Sequence, residues 1–251
     1  MRTFEDLVSE AGQVDVSGWD FSWLDGRATE ERPQWGYARL VAERLCTVSS
    51  ALDLDTGGGE VMAEMPSFPP RMSVTESWPP NAERARELLG PRGVEVAQLR
   101  DDGSLPFPDA TFELVTSRHP VRPNWAEIKR VLIPGESYLA QHVGPASAFE
   151  LIEYFLGSQP EHRNARDPRR AVADATAAGL TVIDLRNTRC RMAFFDIGAV
   201  VYVLRKCVWW VPDFSVERYL DKLRALVLDA QIRTAGVFVA HSSRYLIETR
   251  R

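Results

Sequence analysis

The chain has 251 residues, with 30 Lys and Arg against 35 Asp and Glu and a net charge of −5. No apolar run approaches the ~20 residues of a membrane span, and the chain does not open on a basic start followed by an apolar stretch. The acidic balance argues against a partner such as nucleic acid. Cys46, Cys190 and Cys207 match neither a zinc spacing nor a disulfide framework, so no metal is expected and the composition points to a soluble, cytoplasmic protein.

Residues 1–33 carry Phe4, Leu7, Trp19, Phe21 and Trp23, too aromatic for a solvated tail. They are expected to pack as a helix and loop, or to serve as a lid that excludes water. "QWGYARLVAERLC", 34–46, has Leu40, Val41, Arg44 and Leu45 at helical spacing. "SALDL" then reads as a first strand, buried on both faces because it is apolar without alternation. It collapses into "DTGGGE". "RMSVTES" is a second strand, and "NAERARELL" a helix stopped by Gly90 and Pro91. "VEVAQL" and "FELVTS" are the third and fourth strands. "WAEIKRVL" is a short helix ended by Pro134 and Gly135, and "SYLAQHVG" a fifth strand.

Beyond residue 145 a helix is expected near 168–179, followed by "GLTVIDLRNTRCRMAF" as a sixth strand. "DIGAVVYVLRKC" is ambiguous, since its β-branched residues suit a strand and its register a helix. "VWWVPDF" is an aromatic loop whose Trp209, Trp210 and Phe214 could line an apolar pocket. "SVERYLDKLRALVLDAQIRTAG" reads as a long amphipathic helix with a serine cap and a glycine end, and "VFVAHSSRYLIETRR" as a last strand or hairpin.

Alternating strands and helices imply a parallel sheet with helices on both faces. Ligands in such sheets sit beyond the carboxyl ends of the strands, near the point where strand order reverses. Asp53–Gly59, Glu76–Trp78, Asp101–Gly103 and Ser117–His119 follow the first four strands. Glycines at 57 and 59 would let a backbone approach a ligand closely. Glu76, nineteen residues after Gly57, would accept from two ribose hydroxyls, and Asp101 or Asp102 from an adenine amino group. Met62 stands where a phosphate-cradling motif needs its third glycine, and no Walker lysine follows. A nucleoside without phosphates is the better expectation. His119 and His142, both after strands, are candidate bases, because histidine alone titrates near neutrality without help.

Five segments, "LDLDTGGGE", "VTES", "RDDGSLPFPDATFELV", "SRH" and "EIKRVLIPGESYLAQHVG", resemble class I S-adenosylmethionine-dependent methyltransferases. Within that family the "SRH" and the amino-terminal "WDFSWL…EERPQW" resemble a small bacterial group of the methyltransferase domain 11 type. The resemblance implies an α/β, Rossmann-like doubly wound sheet of seven strands, mostly parallel with an antiparallel last strand. It also implies one domain: 1–33 as lid segment, 34–144 as cofactor-binding core, 145–236 as substrate-side helices and sixth strand, and 237–251 as last strand. "DIGAVVYVLRKC" becomes a helix on the same ground.

S-adenosylmethionine is the cofactor so implied, held by Asp53, Asp55, Thr56, Gly57, Gly59, Glu76, Ser77, Asp101, Asp102, Gly103, Ser117 and Arg118. His119 is the first candidate base, needed only if the acceptor is a hydroxyl or similar group. Arg118 and Arg122 would suit an anionic group on a small-molecule substrate. The pattern departs from the family at Asp55, where a glycine is usual, and at Glu136. A non-catalytic relative that keeps the fold is therefore the alternative to an enzyme.

Overall fold

The computed structural model describes residues 2–18, 20–99, 103–234 and 236–251, the side chains of 231–234 excepted. Trp19, Asp101 and Asp102, named above, lie outside the described residues. The strands are β1 (Ala28–Glu30), β2 (Ser50–Leu54), β3 (Arg71–Thr75), β4 (Glu95–Ala97), β5 (Phe112–Arg118), β6 (Leu132–Val143), β7 (Thr181–Phe194) and β8 (Phe238–Arg250). The helices are α1 (Phe4–Gln13), α2 (Tyr37–Leu45), α3 (Glu60–Ala63), α4 (Pro79–Leu89) and α5 (Trp125–Val131), then α6 (Phe149–Leu156), α7 (Pro160–Arg163), α8 (Pro168–Ala177), α9 (Ile197–Lys206) and α10 (Leu220–Thr234). The strands form one eight-stranded sheet in the order β1-β7-β8-β6-β5-β2-β3-β4. Contacts divide the chain into two compact units.

One unit comprises Pro33–Gly144, Asp167–Thr188 and Arg244–Arg251. Its strands β6-β5-β2-β3-β4 are parallel, and residues 244–250 of β8 run antiparallel to β6. The chain builds outwards through β2, β3 and β4, then returns to place β5 on the other side of β2. Strand order therefore reverses between β2 and β3 on one side and β5 on the other, which opens a crevice at the carboxyl ends of β2 and β5. Leu52, Ala51 and Val74 are fully buried, as the unalternating apolar runs require. Met62, in place of a third glycine, is buried in the core with Met65, Val41 and Leu45.

The other unit comprises Met1–Arg32, Pro145–Arg166 and Arg189–Ser243. The ambiguous "DIGAVVYVLRKC" is helical: Asp196 caps α9 by accepting from the Ala199 N–H at 2.8 Å. α9 is apolar nearly all round and buried accordingly. α1 crosses it so closely that a Cβ at Gly198 would meet the Leu7 carbonyl oxygen at 2.9 Å. Lys206, at the end of α9, is buried, and its ammonium is held by the Ser17 carbonyl at 3.2 Å and by the Phe21 ring. The aromatic amino-terminal segment is thus built into a core with Val8 and Ala11.

Several boundaries move. An eighth strand joins the seven expected, because Ala28–Glu30 pairs antiparallel with Met192–Phe194, a backbone interaction for which three residues carry no periodic signal. Gly90 continues the helical turn at φ −55° and the left-handed stop falls at Gly93, φ 79°. Pro134 and Gly135 lie inside β6 rather than before it, where the Gly135 N–H donates to the Arg251 carbonyl. α10 begins at Leu220, not after Ser215; Ser215 caps the preceding turn through the Arg218 N–H. Among the described residues no helix is long and apolar enough to cross a membrane.

Candidate active site

The described residues expected at the site lie in the first unit, at the carboxyl ends of β2, β3 and β5, with Gly103 beyond β4. β2 leaves the sheet through Asp55, whose φ is 54°. That left-handed conformation is the one glycine adopts without penalty and aspartate tolerates better than most residues. The backbone thus explains why a glycine is usual here. Gly57 follows at φ 66°, and a Cβ built on it meets nothing within 4 Å. Gly59 differs: a Cβ there would lie 2.9 Å from the Leu89 side chain. Gly57 faces open space and Gly59 serves helix packing against α4.

Glu76 directly follows β3 and is buried. One carboxylate oxygen accepts from the Gly57 N–H at 2.8 Å and the other from the Trp78 N–H at 2.8 Å. The acid pins the glycine turn to the next helix, yet each oxygen retains a lone pair for a further donor. The Trp78 indole is half exposed beside it, and Ser77 is exposed between them.

Behind the turn, Asp53 is buried and its Oδ1 accepts from the Thr116 hydroxyl at 2.6 Å. Burial pushes its pKa up to about 6, against the stabilising hydroxyls of Thr116 and Thr56; Asp55 adds to the rise and Arg118 opposes it. Asp55 itself reaches solvent, but the protein crowded around it, and then the Glu76 carboxylate, raise its carboxyl as well. Tyr37, from α2, is buried close to Asp53, and its phenol is pushed well upward first by burial and then by that acid. Ser117 is buried, Arg118 and Gly103 are exposed, and Arg122 is exposed beyond them. Asp101 and Asp102 lie outside the described residues.

His119 follows β5 at φ 60°, and its N–H donates to the Gln141 carbonyl at 2.6 Å. Its imidazole is held by a relay invisible to motif reading. The Trp35 indole N–H donates to Gln141 Oε1 at 2.8 Å, and an indole can only donate. Gln141 therefore turns its amide nitrogen towards His119 Nε2, 3.1 Å away. An amide nitrogen also only donates, so Nε2 accepts and the neutral ring carries its proton on Nδ1. The available signal was Gln141 itself, a buried amide in an apolar strand. His142, the other candidate, is packed between Trp125 and Tyr245 with near-parallel rings. Burial pushes its pKa down to about 3, so it is neutral at pH 7.

Residues 52–140 match the family model described as "Methyltransferase domain". A search of curated proteins finds none that matches. Among solved structures, a Bacillus halodurans protein proposed to be a methyltransferase is 18% identical, with a TM-score of 0.59 over 85% of this chain and 97% of that one. The YcgJ protein of Bacillus subtilis is 16% identical, with a TM-score of 0.59 over 87% and 99%. A Haemonchus contortus phosphoethanolamine N-methyltransferase, solved with S-adenosylhomocysteine, is 14% identical, with a TM-score of 0.54 over all of this chain and 60% of that one. At such identities the structures speak for the fold alone and the family model for the segment: residues 52–140 are similar to a methyltransferase domain, and the chain has the Rossmann-like fold of these structures.

Proposed function

We propose that the chain transfers the methyl group of S-adenosylmethionine to a small-molecule acceptor. The observation that carries this reading is the pinned turn: Gly57 open to space, with Glu76 holding its N–H and keeping one lone pair free on each oxygen. The residues present fit the cofactor. Gly57 admits a close backbone approach, Glu76 would take the two ribose hydroxyls, and the exposed face of Trp78 would lie against the adenine. Asp53 and Tyr37 form the polar floor behind the turn. The net negative charge favours a small acceptor over nucleic acid.

S-adenosylmethionine supplies a methyl group on a positively charged sulfur, an excellent leaving group, so positioning and exclusion of water are the protein's main contributions. His119 acts here by orientation: its Nε2 lone pair already accepts from Gln141, and its proton sits on Nδ1. Abstracting a proton at Nε2 would first require Gln141 to turn away from Trp35. Asp55 favours a second reading, a fold that binds the cofactor without turnover, because its carboxylate adds a negative charge beside the turn. Calorimetry with S-adenosylmethionine and S-adenosylhomocysteine tests the proposal, followed by release of the demethylated product over a panel of small acceptors. Binding with product release supports the enzyme, binding without release supports the second reading, and no binding of either ligand contradicts both.

A further inference from the structure

The outer edge of β7 is not used by the site. β7 lies between β1 and β8, but β1 reaches only Met192–Phe194. Among the described residues, no strand pairs with residues 181–187 on that side. Thr181, Ile183, Leu185 and Asn187 are exposed along it, with Ile183 at 43% and Leu185 at 36%. The direction of the open backbone groups follows from the paired end. The Phe195 N–H donates to the Arg27 carbonyl and the Arg191 carbonyl accepts from the Glu31 N–H. Odd-numbered residues of β7 thus turn their N–H and C=O groups towards β1's side, and strand alternation carries this down to Leu185 and Ile183.

We propose that this edge joins two copies of the chain, strand against strand and antiparallel, about a twofold axis through Leu185. A twofold contact needs a self-complementary surface, in which each residue's partner also meets it in return. With the axis at Leu185, Asp184 of each copy stands opposite Arg186 of the other, Leu185 meets Leu185, and Ile183 meets Asn187. The open N–H and C=O of Leu185 and its odd-numbered neighbours then pair across the axis. Shifting the axis by one residue sets Asp184 against Asp184 or Arg186 against Arg186, and like charges directly opposite are destabilising. Asp184 and Arg186 already share one side of the strand, where they form an ion pair at 2.7 Å. Charges of a single sign would guard the edge against pairing. Opposite charges two residues apart instead select a register.

Sedimentation equilibrium on the full chain tests this. The unaltered protein is expected to be a dimer in the micromolar range. Asp184→Arg and Arg186→Asp each place like charges opposite one another twice, and each should raise the dimer dissociation constant about ten-fold or more. The double variant Asp184→Arg/Arg186→Asp restores the opposition and should return to within about three-fold of the original. Circular dichroism confirms that each variant is folded. Should one charge variant fail to fold, Leu185→Asp, which sets two carboxylates on the axis, should dissociate the dimer in its place. A monomer at ~0.1 mM, a dimer indifferent to the single changes, or a double variant as weak as the singles would overturn the proposal.

Discussion

Two corners of the same crevice are held by different means. At the carboxyl ends of β2 and β3, Glu76 fixes the glycine turn through backbone N–H groups of Gly57 and Trp78. At the ends of β5 and β6, His119 is fixed by side chains, through Gln141 to Trp35. The first corner relies on groups every residue possesses, with glycine required only where the turn is open. The second depends on a particular indole, amide and imidazole, brought together from positions far apart in the chain. Changes at the first corner should therefore act on ligand affinity, and changes at the second on the state of one histidine.

The largest effect is expected at Glu76. Glu76→Ala removes the acceptor proposed for the two ribose hydroxyls and frees two backbone donors, and should weaken cofactor binding by roughly a hundred-fold. Equilibrium dialysis with S-adenosylhomocysteine measures it, and unchanged affinity would take Glu76 out of the site.

Asp53 comes next. Its carboxyl is raised to about 6 in the fold, so the folded state binds the proton more tightly than the unfolded chain. Its contribution is present below the unfolded value near 4 and is lost as pH rises through about 6. Asp53→Asn should therefore be more stable than the parent above pH 7, by on the order of 2 kcal/mol. The gap should close towards pH 4. Urea titrations at both values check the sign, and a pH-independent difference would show that Asp53 is not strained by burial.

The relay gives a subtler test. In the unaltered protein, nitrogen NMR should report His119 Nε2 as the unprotonated, accepting nitrogen. Trp35→Phe releases Gln141 from its fixed orientation, should cost about 1 kcal/mol of stability, and should leave His119 in a mixture of tautomers. A protonated Nε2 in the parent protein would break the contrast between the two corners.

The smallest effect belongs to Asp55→Gly. Glycine adopts the φ of 54° freely, and removing a negative charge from the turn should tighten binding of the proposed cofactor a few-fold, less so as salt is added. A looser complex would mean that Asp55 holds the cofactor's ammonium instead.

The difference between the corners also explains what the sequence disclosed. β2 through β6 were legible because apolar runs, glycines and strand-end acids repeat at spacings that parallel sheets impose. Asp53, Gly57 and Glu76 could be placed from that register alone. The reason for Gly59 was not legible, since it depends on Leu89 of a later helix. β1 escaped notice because three residues carry no period, and its pairing with β7 is made by backbone. The Trp35–Gln141–His119 relay escaped because residues 106 apart leave no local pattern. Asp55 looked like a defect in a motif, and only the dihedral angle shows that the position selects for conformation first.

The measurement closest to the central claim is isothermal calorimetry of the intact chain with S-adenosylhomocysteine, run beside the Glu76→Ala variant. A one-to-one complex with a dissociation constant in the micromolar range, lost or greatly weakened in the variant, is the expected result. A parent protein that takes up no S-adenosylhomocysteine, or a variant that binds it equally well, would contradict the assignment of the glycine turn and Glu76 as a cofactor site.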